Sequence, residues 1–172
     1  MMQVYLLRHG VAEEGRAGSS DAERALTDDG RRKLRQVLEL AADARVEPAL
    51  ILSSPFKRAL QTAQIAKEVL KYKDEIFRAN ALIPGADPQD AWSEVRAHAA
   101  AESLLLVGHN PLFANLAAYL LGTPNAQIDF KKGAIMRIDF ESLSPTPTGI
   151  LRWYLTTRLA TSKERGDAPG KK

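Results

Sequence analysis

The run Leu104-Leu105-Leu106-Val107 sets the strongest limit on the fold. A strand with one face in water alternates apolar and polar side chains, whereas an unbroken apolar run belongs to a sheet covered on both faces. Such a sheet needs helices above and below it, and the rest of the chain supplies them. Segments of β type at 3–7, 50–52, 76–77, 103–107, 134–140 and 150–155 alternate, over most of the length, with patterns at helical spacing. Thr27 reads as the N-cap of a helix with Leu34, Val37, Leu38 and Ala41 on one face, ending near Arg45. Ser54-Pro55 opens a second helix with Pro at its first position, and Asp87-Pro88 caps a third that carries Ala91, Trp92 and Val95. Asn110-Pro111 starts a fourth, running to about Leu121. The last two strands, joined by a loop rich in Pro and Thr, read as a hairpin. This alternation is the pattern of an α/β fold.

With 172 residues, 45% of them apolar, one domain over 1–160 can bury a core without staples. The absence of cysteine excludes thiol nucleophiles, thiolate metal sites and disulfides, and suits a cytoplasmic location. No apolar stretch has the length of a membrane span, and the first residues lack the basic region of a signal peptide. The net charge of +3 (24 − 21) is unevenly placed. Residues 161–172 hold Lys163, Arg165, Lys171 and Lys172 against Glu164 and Asp167, or +2, so residues 1–160 carry only 20 − 19 = +1. The basic balance mostly reflects a tail that reads as disordered, and no nucleic-acid partner is expected.

In open α/β sheets ligands bind beyond the carboxyl ends of the strands. Three strand ends here run into Arg8-His9-Gly10, into Ser53-Ser54-Pro55 with Arg58 one turn on, and into Gly108-His109-Asn110-Pro111. Adjacent parallel strands would bring two imidazoles and two guanidiniums into one crevice beside two helix starts. Such a pocket suits a phosphoryl group, because helix N-termini offer free N–H donors and arginine presents a fork matched to phosphate oxygens. His98, the third histidine of the chain, sits among alanines and reads as a surface residue. The basic start Arg31-Arg32-Lys33 reads as a solvated face, and Trp92 and Trp153 as core or core margin. A zinc site is disfavoured, since a divalent ion beside two guanidiniums is electrostatically opposed and no carboxylate is evidently placed to help.

The segment Leu7-Arg8-His9-Gly10 resembles the Arg-His-Gly signature of the histidine phosphatase superfamily. Ser54-Pro55-Phe56-Lys57-Arg58-Ala59-Leu60-Gln61-Thr62-Ala63 resembles its second motif, and Gly108-His109-Asn110-Pro111 its third. Ser20-Asp21 and Arg24-Ala25-Leu26-Thr27-Asp28-Asp29-Gly30 look like the small bacterial phosphohistidine phosphatases. The resemblance implies a phosphoglycerate mutase-like fold, a three-layer αβα sandwich on a mostly parallel sheet of about six strands. It implies ping-pong phosphoryl transfer, with His9 attacking phosphorus and water releasing the phosphohistidine. Arg8 and Arg58 would clamp the equatorial oxygens, His109 would add charge as a cation, and Asn110 would join the phosphate-binding set. Neither metal nor cofactor is required.

Ester-cleaving relatives carry a carboxylic acid shortly after a segment that here reads Ala81-Leu82-Ile83-Pro84-Gly85, where this chain has none. An alkoxide benefits from a general acid, whereas imidazole, of reference pKa about 6.5, leaves a phosphoramidate readily. The missing acid favours phosphohistidine in a protein, such as a phosphotransfer domain, as substrate of a monomeric enzyme. Glu13, Glu14 and Asp87 remain as other sources of an acid, which would fit a phosphomonoesterase on small molecules. A noncatalytic phosphate-binding module is the third reading, opposed by the presence of His9 and both arginines.

Overall fold

A computed structural model describes residues 1–162; most of the tail read as disordered, from 163 onward, lies outside the described residues. Six strands form one sheet: β1 (Met2–Arg8), β2 (Leu50–Ser53), β3 (Phe77–Arg78), β4 (Ser103–Gly108), β5 (Ile135–Phe140) and β6 (Ile150–Leu155). Their spatial order is β3-β2-β4-β1-β5-β6. The first four are mutually parallel, while β5 and β6 run antiparallel and form the expected hairpin. The central strands β4 and β1 are buried along nearly their whole length, as the apolar runs require.

Alternation along these strands divides the core into two halves. Val4, Leu6, Leu104 and Leu106 face α3 (Pro88–Ala97) and α4 (Leu112–Leu120), with Trp92 and Phe113 packed between. Tyr5, Leu7, Leu105 and Val107 face α1 (Asp28–Asp43) and α2 (Lys57–Val69) through Leu34, Leu38, Ala59 and Ala63. The short α5 (Thr157–Ala160) packs against α1. The result is the three-layer αβα sandwich with a six-stranded, mostly parallel sheet.

Local signals explain most boundaries. Thr27 Oγ1 accepts the Gly30 N–H at 3.0 Å, and Asp87 Oδ1 accepts the Gln89 N–H at 2.7 Å, so both predicted N-caps hold. Two helix starts differ from expectation. Pro55 is not the first residue of α2, because Ser54 Oγ accepts the Phe56 N–H at 3.3 Å and holds Ser54-Pro55-Phe56 as a turn, so that the helix begins at Lys57. Similarly, α4 begins at Leu112, after a cis Asn110-Pro111 peptide, with Asn110 Oδ1 accepting the Ala114 N–H at 3.2 Å. Among the described residues, no helix is long and apolar enough to cross a membrane.

Candidate active site

The sheet register assembles the site. Arg8, the last residue of β1, lies opposite Gly108, the last of β4, and the His9 N–H continues the ladder to the Gly108 carbonyl at 3.0 Å. His9 and His109 therefore leave neighbouring strands at the same level, with ring centroids 5.0 Å apart. The adjacent strand β2 ends one step away, where the Ser54 N–H donates to the Val107 carbonyl at 2.9 Å. Arg58 follows on the first turn of α2. All four expected catalytic side chains thus converge on the carboxyl edge of the parallel strands, as the sequence predicts.

Two glycines permit this approach. A Cβ on Gly108 would meet the Phe113 ring at 2.7 and 2.8 Å, and one on Gly10 would meet Leu34 Cδ1 at 2.6 Å. The backbone beside each histidine is pressed against a helix, so only hydrogen fits there.

His9 is buried and its ring is fixed at both nitrogens. Nδ1 lies 2.7 Å from the Gly10 carbonyl oxygen, which can only accept, so the proton sits on Nδ1 and the lone pair on Nε2. Toward that lone pair Arg58 directs its Nε–H, at 3.3 Å. Burial, together with the cations Arg58, Arg8 and Lys132, brings the His9 pKa down to about 3 despite the opposing Gly10 hydrogen bond. The imidazole is a neutral base at pH 7.

His109 departs from expectation. Burial, then the proximity of His9 and Arg58, lowers its pKa to about 3, so it is neutral at pH 7 rather than a cation. Phe56 packs edge-on at 5.2 Å and helps to exclude water. His109 Nε2 lies 2.8 Å from Ser54 Oγ, whose role the sequence alone did not reveal although Ser54 stands within the second motif. With the His109 proton on Nδ1, the Ser54 hydroxyl donates to Nε2 while its oxygen accepts the Phe56 N–H.

Both arginines are held by main-chain carbonyls. Arg8 Nη1 donates to the Phe130 carbonyl at 2.7 Å, and Asn110 Nδ2 donates to the same oxygen at 3.1 Å. Asn110 thus fastens the loop before β5 and caps α4, and one amide hydrogen is left for a ligand. Arg58 is gripped from outside by Asp21, through the Asp21 carbonyl at 2.8 Å and its carboxylate at 3.0 Å. Asp21 also pairs with Arg24 at 2.9 Å, and the two guanidiniums hold its carboxyl below the usual range against the raising effect of its partial burial. Thr62 links α2 to the His9 loop, accepting the Gly10 N–H at 3.3 Å and donating to the Arg58 carbonyl at 2.8 Å. Asp21 and Thr62 carried no sequence signal of these roles beyond their place in or near the motifs. Among the described residues, Arg8 Nε and His109 Nδ1 are buried with no hydrogen-bond partner.

The three candidate acids have surroundings of their own. Glu13 and Glu14 line a small surface cleft with Arg16 and Arg24, and Asp87 caps α3. Of the other expectations, His98 pairs with Glu94 at 3.1 Å on the surface, Lys33 and Arg32 pair with Asp29 on an exposed face, and Trp92 is core.

Comparison with known proteins agrees with the geometry. A model of the histidine phosphatase superfamily (branch 1) matches residues 4–80, which include His9 and Arg58. An uncharacterized protein of Picosynechococcus sp. is 31% identical over 137 residues, 78% of this chain and 83% of that one. The chain belongs to the histidine phosphatase superfamily. Within it, the phosphohistidine phosphatase SixA of Escherichia coli is 28% identical over 157 residues, covering 90% of this chain and 94% of that protein. A solved structure of the protein histidine phosphatase SixA complexed with tungstate superposes with a TM-score of 0.80 at 28% identity, over 91% of this chain and 97% of the other. The chain is therefore of the small bacterial phosphohistidine phosphatase-like kind. Small-molecule phosphatases share the fold at 16% to 19% identity. Superfamily membership supports phosphatase chemistry.

Proposed function

We propose that this chain is a phosphatase that removes phosphoryl groups from histidine in proteins, through a covalent phosphohistidine on His9 and without a metal ion. The observation that carries the reading is the state of His9. It is a neutral imidazole with its proton fixed on Nδ1 and its Nε2 lone pair directed at the guanidinium of Arg58. In the first step Nε2 bonds to phosphorus as the phosphorus–nitrogen bond of the substrate breaks, and the departing imidazole keeps or takes up a proton. In the second, water bonds to phosphorus, the Nε2–phosphorus bond breaks, and orthophosphate and a proton leave.

The surrounding groups match the charge that develops. Arg8 Nε and His109 Nδ1, both buried without partners, would donate to phosphoryl oxygens, as would the Nε of Arg58. Cationic side chains supply the positive charge that other phosphoryl-transfer enzymes take from magnesium.

The carboxylate beside the site favours phosphohistidine over esters. Asp21, whose carboxylate reaches the cluster through Arg58, is bound by both Arg58 and Arg24. A carboxylate held by guanidiniums is a poor proton donor for an alkoxide, whereas an imidazole leaving group makes little demand for one. The similarity to SixA points the same way.

The test is phosphate release from a histidine-phosphorylated phosphotransfer domain in chelator, beside a phosphomonoester and a His9→Ala variant. Fast release that depends on His9, a phosphoenzyme trapped only when His9 is present, and poor ester turnover are expected. Efficient ester turnover would instead make the chain a small-molecule phosphomonoesterase.

A further inference from the structure

Beside the phosphoryl site the surface opens into a cleft of about 750 Å³ that shares Arg8 with it. The loop before β5 forms one wall, with Lys131 and Lys132, and α5 forms the other, with Arg158 and Leu159. The cleft is built rather than slack: Tyr154 Oη accepts the Lys131 N–H at 2.8 Å and donates to the Asp129 carbonyl at 2.9 Å. Its Asp129 carboxylate is already neutralised by Lys131. Lys132 and Arg158 are exposed and have no acidic partner among the described residues. Lys132 lines the cleft together with Arg8, whose guanidinium belongs to the phosphoryl site, so the basic wall is continuous with that site. Amid these cations Leu159 is 61% exposed.

We infer that this cleft docks an acidic, partly apolar segment of the phosphorylated protein, adjoining its phosphohistidine, with Arg158 and Lys132 meeting carboxylates and Leu159 meeting an apolar side chain. The inference rests on the reading of the chain as a protein phosphohistidine phosphatase and adds what distinguishes one protein substrate from another. The volume far exceeds a phosphoryl group, so the cleft has room for substrate chain beyond the reacting atoms. Its charge selects acidic partners through encounter rate and through the penalty on like charges. The exposed leucine suits a protein segment better than the uniformly charged backbone of a nucleic acid. The chain's own residues 163–172, with four cations to two acids, share the sign of the cleft and do not complement it.

The experiment compares two synthetic phosphohistidine peptides, one flanked by Glu and Leu and the other by Gln and Ser, with phosphoramidate as a substrate lacking any flank. Wild-type protein and the exposed-site variants Arg158→Glu and Leu159→Ser are assayed at low and at 0.5 M salt. The wild type is expected to prefer the acidic peptide by about tenfold in kcat/KM, mostly through KM, with the preference falling at high salt, where the Debye length shrinks to a few ångströms. Arg158→Glu should erase or reverse that preference while phosphoramidate turnover stays at the wild-type rate. Equal turnover of both peptides by the wild type, or an unchanged preference in Arg158→Glu, overturns the docking inference and leaves the phosphohistidine reading intact. No turnover of either peptide or of phosphoramidate overturns the phosphohistidine reading itself, and the inference with it. A single-stranded oligonucleotide that displaces the acidic peptide at equal concentration, or a dimer that Arg158→Glu dissociates, would assign the cleft to a nucleic acid or to a second copy and overturn the inference.

Discussion

Arg58 Nε stands 3.3 Å from His9 Nε2, and the far side of the same guanidinium is held by Asp21 at 2.8 and 3.0 Å. One side chain therefore orients the lone pair of the nucleophile and is itself locked from the surface. Arginine does this because its planar fork presents donors on two edges at once. Arg58→Lys puts a single ammonium where three directed donors stood. We expect kcat to fall by roughly 10²- to 10³-fold, the usual cost of losing a preorganised donor at developing charge, with the urea midpoint changed little. Steady-state kinetics beside a urea titration checks both parts.

Asp21 acts on the reaction only through Arg58, as a positioning residue. Asp21→Asn keeps an oxygen acceptor and the main-chain carbonyl but removes the charge, whereas Asp21→Ala leaves the carbonyl alone. A graded loss is expected, small in the Asn variant and about tenfold in kcat for the Ala variant, in line with the effect of loosened catalytic geometry. A role in protonating the leaving group would show differently, as equal loss in both variants and a loss confined to phosphomonoesters. Parallel assays on phosphoramidate and a phosphomonoester separate the two.

The fold was legible because its strands carry their burial in their composition. Leu104 to Val107 needed cover on both faces and has it, from Trp92 and Phe113 on one side and Leu34 and Ala63 on the other. The same periodicity gave the strand ends, and the strand ends gave His9, Arg58 and His109. What stayed hidden depends on contacts between distant segments. The start of α2 turns on a hydroxyl of Ser54 that competes with the helix for the Phe56 N–H, so Pro55 alone misplaces it. The neutrality of His109 depends on burial against Phe56 and on the nearness of His9, and its motif reveals neither. Asp21 reaches Arg58 across 37 positions of chain, a pairing that no local pattern announces.

Gly108 has no room for a side chain beside His109. Replacing it with Ala drives a methyl group to within 2.7 Å of the Phe113 ring and 3.1 Å of the Leu82 carbonyl. The ring is fully buried and has nowhere to move, so the strand end must shift. Overpacking of this kind costs about 1–3 kcal/mol, read as a lower urea midpoint. Because His109 is the next residue, kcat should fall as well, whereas a cavity variant far from the site, such as Leu38→Ala, would lower stability and leave kcat intact.

The two neutral histidines also link stability to pH. Each has its folded pKa lowered to about 3 from 6.5, so between those values the unfolded chain binds protons that the folded chain does not. Stability then rises with pH wherever the unfolded state holds more protons. The stabilising effect of keeping these imidazoles neutral is complete above about pH 6.5 and is lost as pH falls toward 3. Urea titrations at pH 7 and pH 5 should show the loss in the wild type. In His109→Asn the slope should be shallower, because one of the two linked groups is gone. Orthophosphate at saturating concentration should also flatten the slope, since a bound dianion favours the imidazolium and raises the folded pKa toward its ordinary value. Across the same range the imidazole proton resonances of His9 and His109 should stay constant; titration of either near pH 6.5 would remove the linkage and, for His9, the neutral nucleophile on which the chemistry depends.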